Sequence, residues 1–376
     1  MRGEPIRPIV IAAGGTGGHF FPAEALAGEL ARRGHRIALM TDARSGGERS
    51  AVFAGRETFV LPGAGIAGRG LRRGAGAAVA LARGAFAARR ALARIEPSVL
   101  VGFGGYPSVP PVLGARMLRT RTAGGRPRVI LHEQNAVLGR ANRMLARFAD
   151  QIALGVAQTR ALPGWPPHGV TGNPVRAEIV ALAGEAYVPP EPGAPIRLLV
   201  TGGSQGARVF SDALPPALAR LPAPLRARLR VTQQCRTEDL ERVRAAYAGL
   251  GIEAELSPFF ADIAERLRAA HFVIARAGAS TVAELAIAGR PALLVPYPHA
   301  IDNHQFDNAK AIDALVLEQS EFERRPETLA EALQKRIECP DLLAAAAHAI
   351  AQHAIPDAAS RLADLVEAAL TQEIKV

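Results

Sequence analysis

A glycine-rich turn of one design occurs twice, half a chain apart. Ala13-Gly14-Gly15-Thr16-Gly17-Gly18 follows the apolar run Ile9-Val10-Ile11, and Thr201-Gly202-Gly203-Ser204-Gln205-Gly206 follows Leu198-Leu199-Val200 in a chain of 376 residues. Each copy precedes a helix-like segment. A strand that feeds a glycine turn into a helix N-terminus is an anion site, because the backbone can approach closely, free N–H groups point outward and the helix dipole favours negative charge. Two such units predict two doubly wound α/β domains with parallel sheets. A cleft between them can hold a phosphorylated donor and a phosphorylated acceptor together.

The length suits two domains of ordinary size, each able to bury a core. Cys235 and Cys339 are the only cysteines, which argues against a disulfide framework and for a reducing compartment. The apolar stretch at the N-terminus is short and interrupted by Pro8, unlike a signal peptide, and no apolar run approaches the roughly 20 residues that span a bilayer. The formal charge of +10 comes mostly from arginine, lysine appearing only at Lys310, Lys335 and Lys375. Such a balance favours anionic partners. No zinc finger, RNA-binding signature or aromatic-basic interleaving is present, so nucleic acid is not an expected partner.

Alternating patterns predict strands at 8–13, 36–41, 98–103, 128–132 and 151–155, and again at 196–201, 228–233, 271–275 and 292–295. Helices are predicted at 22–33, with Gly34 as C-cap, and at 206–219, 238–249, 280–288 and 303–312. The proline-rich stretch 188–195 reads as a connection. The expected domains are 1–174 and 175–356, with a helix in 357–376 crossing back to complete the first.

The first loop is neither a dinucleotide fingerprint, since Phe20 stands where a third glycine belongs, nor a Walker loop, since no Lys-Ser/Thr follows. Asp42, ending the second strand, keeps a ribose-binding nicotinamide reading open. His19 stands at the helix entrance, where an imidazole is a natural general base; a helix-capping role is the equal alternative. Gly102-Phe103-Gly104-Gly105-Tyr106-Pro107-Ser108 reads as a second glycine turn, functional or simply a tight connection. His132-Glu133-Gln134-Asn135 follows a strand, at the sheet edge where open α/β folds bind ligands. Ala275–Glu284 combines small residues with Ser280 and Thr281 as helix caps, and Glu284 serves either a ribose diol or a capping box. Asp302-Asn303-His304-Gln305 offers donors and acceptors to sugar hydroxyls. No HExxH, Cys/His cluster or Asp-x-Asp occurs, so no metal site is expected.

These motifs, with Gly172-Asn173-Pro174-Val175-Arg176 and Gly202–Arg208, resemble the MurG family of bacterial N-acetylglucosaminyltransferases in order and over nearly the whole chain. That family converts lipid I to lipid II in peptidoglycan synthesis. The resemblance implies a GT-B fold of two Rossmann-like domains and no cofactor, UDP-N-acetylglucosamine (UDP-GlcNAc) being a co-substrate. It places the donor on the C-terminal domain, with Arg176 and Ser204 at the diphosphate region, Gln205 as a further donor contact and the Phe260 backbone at the uracil. The Ala279, Ser280, Thr281, Val282 and Ala283 segment would line the phosphates, with Glu284 on the ribose and His304 and Gln305 on the sugar. Family members often carry glutamine where His304 stands. Lipid I would sit on Thr16, Gly17, Gly18 and His19 with Tyr106, Glu133 and Asn135 nearby; Thr16, Gly17, Gly18 and Asn135 are candidate donor contacts as well. The implied reaction inverts the anomeric centre, with His19 as first and Glu133 as second candidate base.

If 71–95 is helical, Arg72, Arg83, Arg90 and Arg94 share a face beside Val79 and Phe86, opposite Leu81, Ala85, Ala88 and Leu92, although Gly76 and Gly84 weaken the helix. Apolar side chains among arginines suit an anionic bilayer surface; a solvated basic face is the alternative. The resemblance implies peripheral attachment at the cytoplasmic face of the inner membrane, with cell-wall synthesis and division proteins as further candidate partners. Two other classes remain open: a UDP-N-acetylglucosamine 2-epimerase, which needs no lipid, and a nucleotide-sensing protein without turnover.

Overall fold

The computed structural model describes residues 7–15, 17–43, 50–62, 71–118, 126–203 and 206–371, without the side chains of 71–75. The chain divides into two compact units, Met1–Arg176 with Asp357–Val376, and Ala177–Pro356.

In the first unit, β1 (Ile9–Ala12), β2 (Ile37–Thr41), β3 (Glu57–Val60), β4 (Val99–Gly102), β5 (Arg128–Glu133), β6 (Gln151–Leu154) and β7 (His168–Val170) form one sheet. Their order is β3-β2-β1-β4-β5-β6-β7, and every pairing is parallel. The second unit repeats the plan with β8 (Ile196–Thr201), β9 (Leu229–Gln234), β10 (Glu253–Ser257), β11 (Phe272–Ala275), β12 (Ala292–Leu294) and β13 (Leu315–Val316), in the order β10-β9-β8-β11-β12-β13. In both sheets the order reverses beside the strand that carries the glycine turn, between β1 and β4 and between β8 and β11. That reversal opens a crevice at the carboxyl ends of the strands.

The central strands are apolar throughout because helices cover both faces. Successive residues of β1 serve opposite faces: Val10 and Ala12 join a cluster with Leu100, Val112 and Leu131, whereas Ile9 and Ile11 join Leu26, Leu30 and Val101. The latter cluster includes Leu362, Ala363 and Val366 of the helix Ala358–Thr371, so the C-terminal segment completes the core of the first unit. Polar ties reinforce it. Arg33 donates to Asp364 at 2.6 Å and to Glu367 at 2.7 Å, and His35 pairs with Glu367 at 2.7 Å. The His35 hydrogen bond, with Arg33 beside it, holds the Glu367 carboxyl below the usual carboxylate range.

Three helices differ from sequence expectation in an instructive way. Helix α1 (Gly17–Arg32) starts directly after the glycine turn and carries Pro22 inside it. Helix α2 (Leu71–Ile95) runs unbroken through Gly76 and Gly84. Helix α3 (Gly105–Arg116) occupies a stretch that reads as a turn followed by proline breakers, with Pro110 and Pro111 within the helix. Contact between α2 and α3 accounts for this. A Cβ at Gly84 would lie 2.6 Å from the Pro62 carbonyl and 3.2 Å from Pro110, and one at Gly114 would lie 2.7 Å from the Arg89 nitrogen. The two helices thus meet at backbone distance, and glycine there serves packing rather than flexibility. Gly114→Ala is expected to force them apart and to destabilise the first unit by about 1–3 kcal/mol, read as a lower urea midpoint; an unchanged midpoint would show that the helices separate freely.

Candidate active site

The crevice of the first unit is built from the ends of β1, β4 and β5. Helix α1 opens at Gly17, so its entrance lies beside the turn after β4, whose Gly104 and Gly105 have φ of +76° and +64°. Ser108, inside α3, donates to the Ala12 carbonyl at 3.0 Å and to Gly104 at 2.9 Å, tying the two loops together. The half-buried His19 ring lies against Gly105; a Cβ there would stand 3.3 Å from both Cδ2 and Nε2. Glycine at 105 therefore meets two demands, a left-handed backbone and room for the imidazole.

His132 lies in β5 as predicted, and the strand runs one residue further, through Glu133. The Glu133 carboxylate is 2% exposed and braces the loop that follows. One oxygen accepts from the Asn135 backbone at 3.1 Å and its Nδ2 at 3.0 Å; the other accepts from the Gly139 nitrogen at 2.8 Å and Asn142 Nδ2 at 2.9 Å. With four N–H groups directed at it, this carboxylate is committed to holding structure and is poorly placed to take a substrate proton. Gln134 is buried, and its Oε1 lies 3.0 Å from His19 Nδ1. His132 is fully enclosed, 3.0 Å from the Gly172 carbonyl through Nε2. Tyr106 directs a buried hydroxyl with no protein partner into its surroundings. Arg176 falls within the first unit, its guanidinium 4.9 Å from the centre of the Phe21 ring on α1.

In the second unit the glycine turn after β8 is tighter still. A Cβ at Gly202 would lie 2.2 Å from the Ala207 nitrogen, so only glycine closes this turn. Gln234, at the end of β9, accepts from the Gly202 nitrogen and from Thr201 Oγ1, each at 3.1 Å, and donates to the Pro258 carbonyl at 3.2 Å. Sequence inspection missed this brace, because Arg230, Thr232 and Gln233 already make β9 mixed and nothing in the pattern marks Gln234 out. Phe260 is buried beneath the Arg266 guanidinium at 4.0 Å, which fixes the turn after β10.

The helix Ala279–Ala288 follows β11, with Gly278 as N-cap and no side-chain cap. Ser280 and Thr281 are therefore first-turn residues, not caps, and the Ser280 hydroxyl is buried without a partner. Glu284 lies in the second turn, beyond the reach of a capping box. Val282 faces the core, while Ala279, Ala283 and Glu284 are partly exposed. Arg276 ties this segment to the loop after β12, donating to the carbonyls of Val295 at 3.0 Å and Pro296 at 3.1 Å and to Gln319 at 2.6 Å. Burial pulls its guanidinium down to about 10. Asn308 adds a bond to the Ala277 carbonyl at 3.1 Å. At the start of the helix His304–Lys310 that follows this loop, Gln305 accepts from the Tyr297 nitrogen at 2.9 Å, and His304 Nδ1 donates to the Ile301 carbonyl at 2.8 Å. Asp302 and Asn303 both take left-handed φ.

Of the remaining candidates, Gly18 is exposed and Gly17 packs on Phe21 in the first turn of α1. Thr16, Ser204 and Gln205, and the side chain of Arg72, lie outside the described residues. On α2, Val79 and Phe86 are 59% and 52% exposed, with Arg83 and Arg90 exposed beside them and Ala85, Ala88 and Leu92 in the core. Arg94 turns toward β3, 3.6 Å from Glu57 and over the Phe59 ring. Among the described residues no cluster of three or more His, Cys, Asp or Glu side chains comes together.

Two parallel α/β units, each with a glycine turn and a helix entrance at its topological reversal, define a glycosyltransferase of the GT-B fold. The family 28 N-terminal domain profile matches residues 9–154 and the C-terminal domain profile residues 197–362. The chain belongs to glycosyltransferase family 28. It is 58% identical over 373 residues to a UDP-N-acetylglucosamine–N-acetylmuramyl-(pentapeptide) pyrophosphoryl-undecaprenol N-acetylglucosamine transferase of Granulibacter bethesdensis, covering 98% of this chain and 95% of that one. An enzyme of the same name from Acidiphilium cryptum is 52% identical, with both chains covered completely. Among solved structures, MurG of Acinetobacter baumannii superposes with a TM-score of 0.75 at 30% identity, over 96% of this chain and 99% of that one.

Burial lowers His132 from 6.5 to about 4, outweighing the Gly172 hydrogen bond and the Glu133 charge, which pull the other way. The folded chain thus binds this proton less readily than the unfolded one. The contribution to stability is complete above about pH 6.5 and is lost as pH falls toward 4. The urea midpoint of the first unit is expected to fall across that window, less steeply in His132→Gln; equal slopes would contradict the assignment.

Proposed function

We propose that this protein transfers N-acetylglucosamine from UDP-GlcNAc to the C4 hydroxyl of the muramyl sugar of lipid I, forming lipid II for peptidoglycan. What carries the reading is likeness to transferases of that name over the whole length of both chains, at 58% and 52% identity. The site residues supply roles consistent with it.

The donor belongs on the second unit. The uncapped first turn of the helix Ala279–Ala288 offers backbone N–H groups and a positive dipole end to the diphosphate. Ser204 and Gln205 belong with that group, as do Ser280 and Thr281. Glu284 would take the ribose, the Phe260 turn the uracil, and His304 and Gln305 the sugar hydroxyls. Lipid I belongs on the first unit, its diphosphate on Thr16, Gly17 and Gly18, with Tyr106 and Asn135 nearby. Arg176 adds positive charge for a phosphate. The muramyl O4 attacks the anomeric carbon of the α-linked donor as the bond to the UDP oxygen breaks, and UDP leaves with the electron pair. His19 accepts the hydroxyl proton. Glu133, its oxygens held by four N–H groups, serves as the brace beside it. Stabilisation of the leaving diphosphate and juxtaposition of two bound substrates would supply most of the acceleration.

Lipid I is a membrane molecule, and the exposed Val79 and Phe86 flanked by Arg83 and Arg90 suit the anionic cytoplasmic surface of the inner membrane. No described helix is long and apolar enough to cross a bilayer, so α2 would lie on the surface.

Purified protein with labelled UDP-GlcNAc and a short-chain lipid I analogue is expected to form disaccharide-lipid. His19→Ala should lower kcat by about 10²–10⁴-fold with UDP binding preserved. Free UDP-sugar isomer from donor alone would favour an epimerase, and UDP binding without product a sensor. Sedimentation with anionic vesicles should weaken in Arg83→Glu/Phe86→Ser; undiminished binding would remove α2 from the docking surface.

A further inference from the structure

Four polar groups in the first unit form a chain whose hydrogen-bond directions are determined by its fixed ends. At one end, the Gly172 carbonyl can only accept, so His132 Nε2, 3.0 Å away, must carry a proton. His132 is fully enclosed and neutral at ordinary pH, and its other nitrogen, Nδ1, is therefore a lone pair. Gln134 Nε2 stands 2.9 Å from that lone pair, 3.1 Å from the Phe103 carbonyl and 3.2 Å from the His132 carbonyl. All three are acceptors. A reversed amide would set an oxygen against them in a buried site, so the NH₂ end of Gln134 must face inward. Its Oε1 is then turned to His19 Nδ1 at 3.0 Å and can only accept. The proton of neutral His19 is consequently on Nδ1.

We propose that Gln134, oriented in turn by His132, is a positioning residue that fixes His19 in the tautomer with its proton on Nδ1 and a lone pair on Nε2. The inference rests on the reading of His19 as the base, for which Nε2 is then the proton-accepting atom. Among the described residues nothing hydrogen-bonds Nε2, whose edge of the ring lies against the side-chain-free Gly105. The free imidazole in water favours the opposite tautomer, with Nε2 protonated and unable to accept. Held by Gln134, His19 meets the acceptor hydroxyl already in the form that can take its proton, and Gly105 leaves the ring room to lie there. His132 and Gln134 touch neither substrate in this account. They act through His19, just as a hydrogen-bonded partner sets the tautomer of a catalytic histidine elsewhere.

The test is a two-bond ¹H–¹⁵N correlation spectrum of the full-length chain with labelled histidine, His19 being assigned by its loss in His19→Ala. Native His19 is expected to show Nδ1 protonated and Nε2 bare, and His132 the reverse; a protonated Nε2 on neutral His19 would overturn the proposal outright. In Gln134→Met, of similar volume but without donor or strong acceptor, the His19 proton should move to Nε2. With it, kcat should fall about tenfold or more while KM for UDP-GlcNAc stays within about twofold. Retention of the Nδ1 proton in that variant, with or without loss of kcat, would assign Gln134 a purely structural role and refute the relay. Gln134→Glu, protonated on the oxygen that replaces Nε2, can donate inward and still offer Nδ1 a carbonyl oxygen, and should keep the native tautomer; the native His19 spectrum keeps the proposal falsifiable if the methionine variant fails to fold. A tautomer shift with kcat unchanged would uphold the relay and instead remove His19 as the base.

Discussion

A parallel sheet whose strand order reverses beside its first strand sends two neighbouring connections in opposite directions and leaves the carboxyl ends between them uncovered. Both units of this protein are arranged around that constraint. β1 and β4 flank the reversal in the first unit, and β8 and β11 in the second. Each uncovered edge is lined by backbone at close quarters: Gly105 against His19 in one unit, Gly202 against Ala207 in the other. The polar residues that matter follow from this geometry. They either stand at the edge, as His19 does, or hold the edge in shape, as Glu133, Gln134, Gln234 and Arg276 do.

The holding residues have a physical logic in common. A glycine turn with free N–H groups has little apolar contact to stabilise it, so buried side chains take over. Gln234 gathers the Gly202 nitrogen and the Thr201 hydroxyl onto one amide oxygen. Arg276, buried and bonded to no carboxylate among the described residues, gives its N–H groups to two carbonyls and a glutamine amide and lies against the rings of Phe210 and Tyr297. Glu133 gathers four N–H groups. In each case a polar group is desolvated at a cost that its hydrogen bonds offset. What results is a rigid edge rather than a stability gain.

Much of this was legible from sequence because buried parallel strands announce themselves as apolar runs. β8 has the boundaries the pattern predicts, and β1, β2, β4 and β6 differ by a residue at one or both ends. The edge strands β3, β7 and β13 went unseen, being short and, in β3 and β7, substantially exposed. Helix α3 was hidden by Pro107, Pro110 and Pro111; packing against α2 overrides a local propensity that argues against a helix. Helices 326–337 and 340–351 followed the last recognised strand and carried no motif to flag them. At the site, residue types and their strand-end positions could be read, but hydrogen-bond direction could not. Glu133 looked like a base until its four donors were in place, and Gln134 looked like one polar residue among four. Only the spacing of Gly172, His132 and His19 around it reveals what its amide does.

Most directly at stake is the transfer itself, with inversion at the donor sugar. Incubation of the purified protein with UDP-GlcNAc ¹³C-labelled at C1 and a short-chain lipid I analogue, followed by NMR of the purified product, reads the new linkage from its anomeric coupling. A single β linkage to the muramyl C4 oxygen is the predicted result. An α linkage, or label recovered only as free sugar or UDP-sugar isomer, would contradict direct attack by the muramyl hydroxyl.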